Sequence, residues 1–146
     1  MSGTARDLYL AEPPQHYLLR PPLVLDCSTL AGLIFEEDWQ TQALQKIEGR
    51  SLKAPCLLEV EITSVALKKH RRGGHDIALN GLARYASMEI ELFEVKVMDV
   101  FELANRYQLS AYDASYLWLA AELKCPLATF DEKLAVAAQA HLSSLP

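Results

Sequence analysis

Four carboxylates in this 146-residue chain stand where carboxylates commonly do chemistry: Asp26, Glu61, Asp113 and Asp131. Asp26 follows the apolar run Leu23-Val24-Leu25, and Asp131 follows Leu127-Ala128-Thr129-Phe130. Both runs are short and apolar, as buried strands are. Carboxylates that converge repel one another and stay ionised at neutral pH only beside a cation. Hard oxygen donors select Mg²⁺ or Mn²⁺. A centre of that kind suits phosphodiester hydrolysis, because the ion lowers the pKa of a bound water and stabilises charge on the scissile phosphate.

Taken singly, each acid has a plainer explanation. Asp26 could cap the helix that follows it, and Glu61 could be a solvated helix residue. Asp113 could close the capping box Ser110-x-x-Asp113, and Asp131 could favour a helix N-terminus beside a Thr129-x-x-Glu132 box. Two details weaken these readings. At about 100° per residue, Leu57, Glu61 and Ser64 share a stripe beside the apolar Leu58–Ile62–Val65 stripe. An acid at the edge of a buried face is costly unless it is paired or metal-bound. Glu59 points about 200° away and reads as solvent-facing. Asp113 sits among Ala111, Tyr112, Ala114 and Tyr116, on a helix that is apolar nearly all round.

The elements that must position these acids follow from the pattern. After the strand Leu23–Leu25, Ser28 or Thr29 caps a helix through Leu30, Leu33 and Ile34. Glu36, Glu37 and Asp38 lie in a turn or at the start of the next helix, which runs to about Gly49. Pro55 suits the first turn of a helix that continues to His70 and stops at Gly73-Gly74. Another helix spans about Asp76 to Met88, and the alternation from Glu91 to Val97 reads as a strand. Asp99-x-x-Glu102 has the form of a capping box before a helix ending near Tyr107. Ser110 opens a helix to Lys124, and Pro126 prevents its continuation. Leu127–Phe130 is a strand, Glu132–Ala140 a last helix, and the tail through Leu145 a small edge strand. Strands alternating with helices predict an α/β fold with a mainly parallel central sheet flanked by helices. Ligands bind beyond the carboxyl ends of the strands in such sheets, so Asp26 and Asp131 fall on one rim.

Composition narrows the function classes. Apolar residues make up 51% and charged residues 23%, as in an ordinary globular domain rather than a disordered chain. The length suits one domain. No apolar run approaches the ~18 residues of a membrane span, and Leu8–Ala11 is too short for a signal sequence. The net charge of −5 argues against non-specific coating of nucleic acid. It leaves room for an enzyme that meets nucleic acid through a local basic patch. Cys27, Cys56 and Cys125 form no C-x-x-C pair, and read as small core residues in a reducing compartment. Residues 1–21, with Pro13-Pro14 and Pro21-Pro22, read as an N-terminal extension preceding the domain over 22–146.

Four ordered segments resemble the PIN-domain family, and specifically the VapC-type toxins of toxin–antitoxin pairs. They are Leu23–Ser28 with its D-x-S, Ala54–Ile62 with its acid at Glu61 rather than Glu59, Leu109–Tyr116 with L-x-x-Y-D-A-x-Y, and Leu127–Leu134 with T-x-D. The similarity covers about residues 22–142. It implies a Mg²⁺- or Mn²⁺-dependent endoribonuclease of the cytoplasm with Asp26, Glu61, Asp113 and Asp131 as its acidic quartet. Asp26 and Asp113 would be the main metal ligands, and Ser28 and Thr129 would support them. It also implies an RNA substrate, a homodimer, and a cognate antitoxin whose segment enters the acidic groove. The sequence departs from the family in its long N-terminus and in Ser64, where the family often has Asn.

Several other residues also have two readings. Lys68, Lys69, Arg71 and Arg72, with His70 and His75 nearby, form the basic cluster and either contact RNA phosphates or simply complement a helix C-terminus. His16 and His141 read as structural. Trp39, Tyr112, Tyr116 and Trp118 could stack on bases, but their helical positions favour core or dimer packing. A haloacid-dehalogenase-like phosphatase needs a second Asp where Ser28 stands. A receiver domain needs an acidic pair after its first strand and a Lys after its last. A Rossmann domain needs an early Gly-rich turn, and here only Gly32 follows Asp26, too late. The rival from another class is a non-catalytic PIN-like module that binds protein or RNA without turnover.

Overall fold

The computed structural model describes residue 9, residues 20–35 and residues 40–146. Most of the expected extension over 1–21 lies outside the described residues, as do the turn at Glu36–Asp38, Trp39 and His16. The described elements run β1 (Pro22–Leu25), α1 (Cys27–Ile34), α2 (Gln40–Ile47), β2 (Ser51–Pro55), α3 (Leu57–Arg71), α4 (His75–Ser87), β3 (Ile90–Phe93), α5 (Val97–Tyr107), α6 (Ala111–Leu123), β4 (Leu127–Ala128) and α7 (Glu132–Ser143).

The four strands form one parallel sheet in the order β3-β2-β1-β4. From β1 the chain winds outward through β2 to β3, then returns to place β4 on the other side of β1. The winding direction therefore reverses between β1 and β4. Right-handed crossovers then put the two helical groups on opposite faces. A crevice opens at such a reversal, outside the carboxyl ends of the flanking strands. Asp26 directly follows β1, and Asp131 lies three residues past β4. The expected parallel α/β sheet and its acidic rim are thus both present.

The middle of the fold is α6. Seven consecutive residues, Ala114 through Ala120, are buried. It packs on β1, β2 and β4 and against α5 and α7. Such a helix shows no apolar stripe because every side is covered. Tyr116, Leu117 and Leu119 on this helix are each at most 1% exposed. Full burial of a large apolar side chain contributes roughly 1.5–3 kcal/mol.

Several boundaries differ from the sequence reading. Pro55 does not open a helix; it ends β2, a strand the pattern did not suggest, and α3 begins at Leu57. Lys53 interrupts that strand's apolar character. Its Nζ lies 2.6 Å from Glu91 Oε1, on the residue directly opposite in β3. The strand expected over Glu91–Val97 is Ile90–Phe93, and α5 starts at Val97, ahead of the supposed capping box. Lys96 occupies the N-cap without a side-chain cap, and Asp99 instead accepts from Trp118 Nε1 at 3.4 Å. β4 spans only Leu127–Ala128. The tail adds no strand, because α7 continues through Ser143. Gly73 stops α3 as expected, at φ +91° in the left-handed region that glycine tolerates.

Candidate active site

Asp26 is 4% exposed and sits at the N-cap of α1. Its Oδ1 accepts from Thr29 N at 3.0 Å and Ser28 Oγ at 2.7 Å. Its Oδ2 accepts from Thr129 Oγ1 at 2.5 Å. The Thr29 hydroxyl, fully buried, lies 2.9 Å from the Ala128 carbonyl and 3.1 Å from Asp26 Oδ1. The capping role is therefore real, and it serves to hold the carboxylate still at the crevice. A cap usually lies in solvent; this one is buried between two strand ends.

Ser28 and Thr129 also tie the two strand ends together. Ser28 Oγ accepts from Phe130 N at 2.9 Å, and Thr129 Oγ1 accepts from Asp131 N at 2.9 Å. Asp131 is exposed and caps α7, with Oδ1 accepting from Leu134 N at 2.9 Å. Two hydroxyls thus couple Asp26, at the end of β1, to the backbone that presents Asp131.

Glu61 comes from the second turn of α3 and is half-buried beside the covered residues Leu58 and Ile62. Its Oε1 accepts from Tyr116 Oη at 2.6 Å. Burial raises its pKa; Asp113 and Asp26 raise it further, and the Tyr116 hydrogen bond opposes them. Glu59 is exposed, as expected, and accepts from Tyr85 Oη at 3.0 Å.

Asp113 lies in the first turn of α6, where Ser110 Oγ caps its backbone N–H at 3.1 Å. Its carboxyl is also raised, first by burial and then by Asp131 and Asp26; Lys133 and Ser110 oppose the shift. The acids therefore act on one another as neighbours do. Asp26 caps α1 and Glu61 lies on α3, while Asp113 lies on α6 and Asp131 caps α7. Among the described residues, no three His, Cys, Asp or Glu side chains form a ready cage for an ion. The donor set nevertheless fits a hard divalent cation: carboxylate oxygens whose mutual repulsion the nearby lysine only partly offsets.

Cys27 is half-buried next to this cluster. Burial, Glu61 and Asp26 push its thiol up to about 12, with Lys68 opposing, so it stays protonated at neutral pH. Lys68 belongs to α3, the helix that carries Glu61. Seven residues separate Glu61 from Lys68, which sets them on one stripe about 10 Å apart. Arg71 and Arg72 are exposed beyond it, and Lys69 Nζ lies 5.5 Å from the Phe35 ring centroid. His70 and His75 face each other through their Nδ1 atoms at 2.8 Å. Of the aromatics, Tyr116 and Trp118 are core residues, while Tyr112 is 61% exposed. His141 is structural, its Nδ1 lying 3.0 Å from Tyr107 Oη.

Sequence reasoning missed three contributors: Thr29, Lys133 and the Tyr116 hydroxyl. Thr29 was read only as a possible cap. Tyr116 carried a signal, since it lies three residues after Asp113 and so shares a helix face with it. Lys133 carried none.

An acidic rim at the winding reversal of a four-stranded parallel sheet defines a class of α/β domain whose site lies at the carboxyl ends of its strands. The PIN domain profile matches residues 23–140, and the chain belongs to that family. Within it, the similar proteins are of VapC type. Ribonuclease VapC3 of Pyrobaculum aerophilum is 29% identical over 120 residues, covering 77% of this chain and 92% of that protein. VapC ribonuclease Mb0985 of Mycobacterium bovis is 32% identical over 121 residues, covering 82% and 93%. Among solved structures, PAE2754 from Pyrobaculum aerophilum superposes with a TM-score of 0.65 at 23% identity, covering 84% of this chain and 93% of that one. Mycobacterium tuberculosis VapC20, described as a sarcin–ricin loop-cleaving toxin, gives 0.58 at 15% identity, covering 79% and 94%. These two likenesses concern the fold.

Proposed function

We propose that the acidic crevice is the active centre of this VapC-type endoribonuclease, and that Asp26, Glu61, Asp113 and Asp131 hold a divalent ion there, Mg²⁺ or Mn²⁺. The observation that carries the proposal is Asp26: a buried carboxylate fixed by three donors, with Glu61 and Asp113 electrostatically coupled to it. A bound ion would activate water for attack on the scissile phosphate and offset the charge that develops on it. Asp26 and Asp113 act as the main ligands, with Glu61 and Asp131 completing the set. Ser28 and Thr129 keep Asp26 in one orientation, so little reorganisation accompanies binding. Lys133 on one side, and Lys68, Lys69, Arg71 and Arg72 on the other, attract the RNA backbone to a rim that is otherwise negative.

The substrate is RNA, hydrolysed at a phosphodiester bond in the cytoplasm. The domain spans 22–146, with 1–21 as an extension. The chain is silenced by a cognate antitoxin and works as a homodimer. Val97, Met98 and Phe101 on α5 support pairing with another chain, since they are 75%, 75% and 68% exposed on one helix. No helix among the described residues is long and apolar enough to cross a membrane.

Purified protein incubated with total RNA and Mn²⁺ tests the reading. Cleavage by the wild type that is lost in Asp26→Asn and in Asp113→Asn is the expected result. Equal cleavage by all three would identify a contaminant. No cleavage by any would favour the binding-module alternative.

A further inference from the structure

Among the described residues, Tyr116 is the largest side chain essentially closed to solvent, at 1% exposed. A tyrosine buried that deeply is placed by packing, and its hydroxyl must find a partner inside. That partner is not the backbone of α6 but Glu61 Oε1, at 2.6 Å on a different helix. Tyr116 lies three residues after Asp113, so one face of α6 presents both groups. The helix therefore delivers one carboxylate directly and grips a second through the phenol.

We infer that Tyr116 is a positioning residue for the ion site, presetting Glu61 through its hydroxyl; the inference rests on the acidic crevice being that site. Glu61 has three rotatable side-chain bonds and is only half-buried, so left alone it would sample several rotamers. The phenol occupies one lone pair of Oε1 and leaves Oε2 and the remaining lone pair free to coordinate. The core, packed round the ring, fixes where that happens. A purely structural tyrosine would need only some acceptor; here the acceptor is one of the four acids of the crevice. Partners of this kind, which orient a ligand without touching the ion, typically change metal affinity 10–100-fold when removed.

The test is Mn²⁺ binding without RNA, followed by titration calorimetry on the wild type, Tyr116→Phe, Glu61→Gln and the double variant. Melting in EDTA is recorded alongside. Tyr116→Phe keeps the ring and removes only the hydroxyl, and Glu61 Oε1 can turn to water. The expected result is a melting temperature within about 4 °C of wild type and Mn²⁺ bound about 10-fold more weakly. In the Glu61→Gln background, removing the hydroxyl should have no further effect. Equal weakening in both backgrounds, or unchanged affinity in Tyr116→Phe, would overturn the positioning role. A Tyr116→Phe chain that does not fold in EDTA would make the residue a core residue only. Unchanged affinity in Glu61→Gln would instead overturn the reading of the crevice itself.

Discussion

Replacing Asp26 separates its two duties, because asparagine and alanine remove them differently. Thr29 N, Ser28 Oγ and Thr129 Oγ1 all donate to this carboxylate. In Asp26→Asn the amide oxygen can still accept from Thr29 N and Ser28 Oγ, and asparagine is as good a cap as aspartate. The amide NH₂ then faces Thr129 Oγ1, whose proton loses its acceptor. A hydrogen bond to a charged group contributes about 1.5–3 kcal/mol. Relief of repulsion with Glu61 and Asp113 opposes that loss, leaving a net cost of roughly 1–2 kcal/mol. In Asp26→Ala the cap is lost, at about 1 kcal/mol, and the Ser28 and Thr129 hydroxyls lose their acceptor at about 1–3 kcal/mol each. The same relief of repulsion applies, and the Thr129 loss is common to both variants, so alanine costs roughly 2–4 kcal/mol more than asparagine. At about 2–4 °C per kcal/mol for a domain of this size, alanine should melt at least ~4 °C below asparagine in calorimetry with EDTA. Both variants should lose RNA cleavage equally, by 10²-fold or more. Equal melting temperatures for the two would refute the claim that the buried carboxylate organises both strand ends. Wild-type cleavage by either would refute its role in the chemistry.

The remaining predictions concern the rim and the packing beneath it. Burial, Asp131 and Asp26 raise the folded pKa of Asp113 above its unfolded value. The folded state then binds more protons than the unfolded state across that window, so this group's contribution falls as pH rises through it. Asp113→Asn should therefore raise the melting temperature in EDTA at pH 7, with the gain shrinking as pH drops to about 4; a gain independent of pH would contradict the cause. At Gly81 of α4, an added Cβ would overlap the buried Phe35 ring and press on the Ile34 carbonyl. Gly81→Ala should cost about 1–3 kcal/mol of denaturant stability, despite alanine's better helix propensity; a stabilised variant would show that Phe35 moves freely. Lys68→Ala and Arg72→Ala should each weaken RNA binding in EDTA and lower the salt slope by about 1. An unchanged slope would make the cluster a solvated helix end.

Much of the candidate site was legible because its acids sit where secondary structure changes. Asp26 ends an apolar run, Ser110 caps an apolar helix whose first turn carries Asp113, and Glu61 borders a buried stripe. Those are local signals. β2 was not readable, since Lys53 meets Glu91 only once the sheet forms. The start of α5 was misread for a related reason: Asp99 looked like a cap but serves Trp118 across a helix pair. β4 was overextended because Thr129 leaves the ladder to bind Asp26 with its hydroxyl. Thr29 and the Tyr116 hydroxyl act on carboxylates contributed by other elements or buried at strand ends, partnerships that tertiary structure creates. Lys133 is a surface residue of α7 whose neighbour Asp113 lies 20 positions earlier, and periodicity carries no information about that approach.

Asp26, Glu61, Asp113 and Asp131, distant in sequence, are proposed to hold one ionic centre at the reversal between β1 and β4. Anomalous scattering from crystals grown with Mn²⁺ tests it most directly. A manganese peak is expected in the crevice, within coordinating distance of Asp26 and Asp113 and absent in Asp113→Asn. A peak at His70 and His75 with none in the crevice, or no peak at all at saturating Mn²⁺, would contradict it.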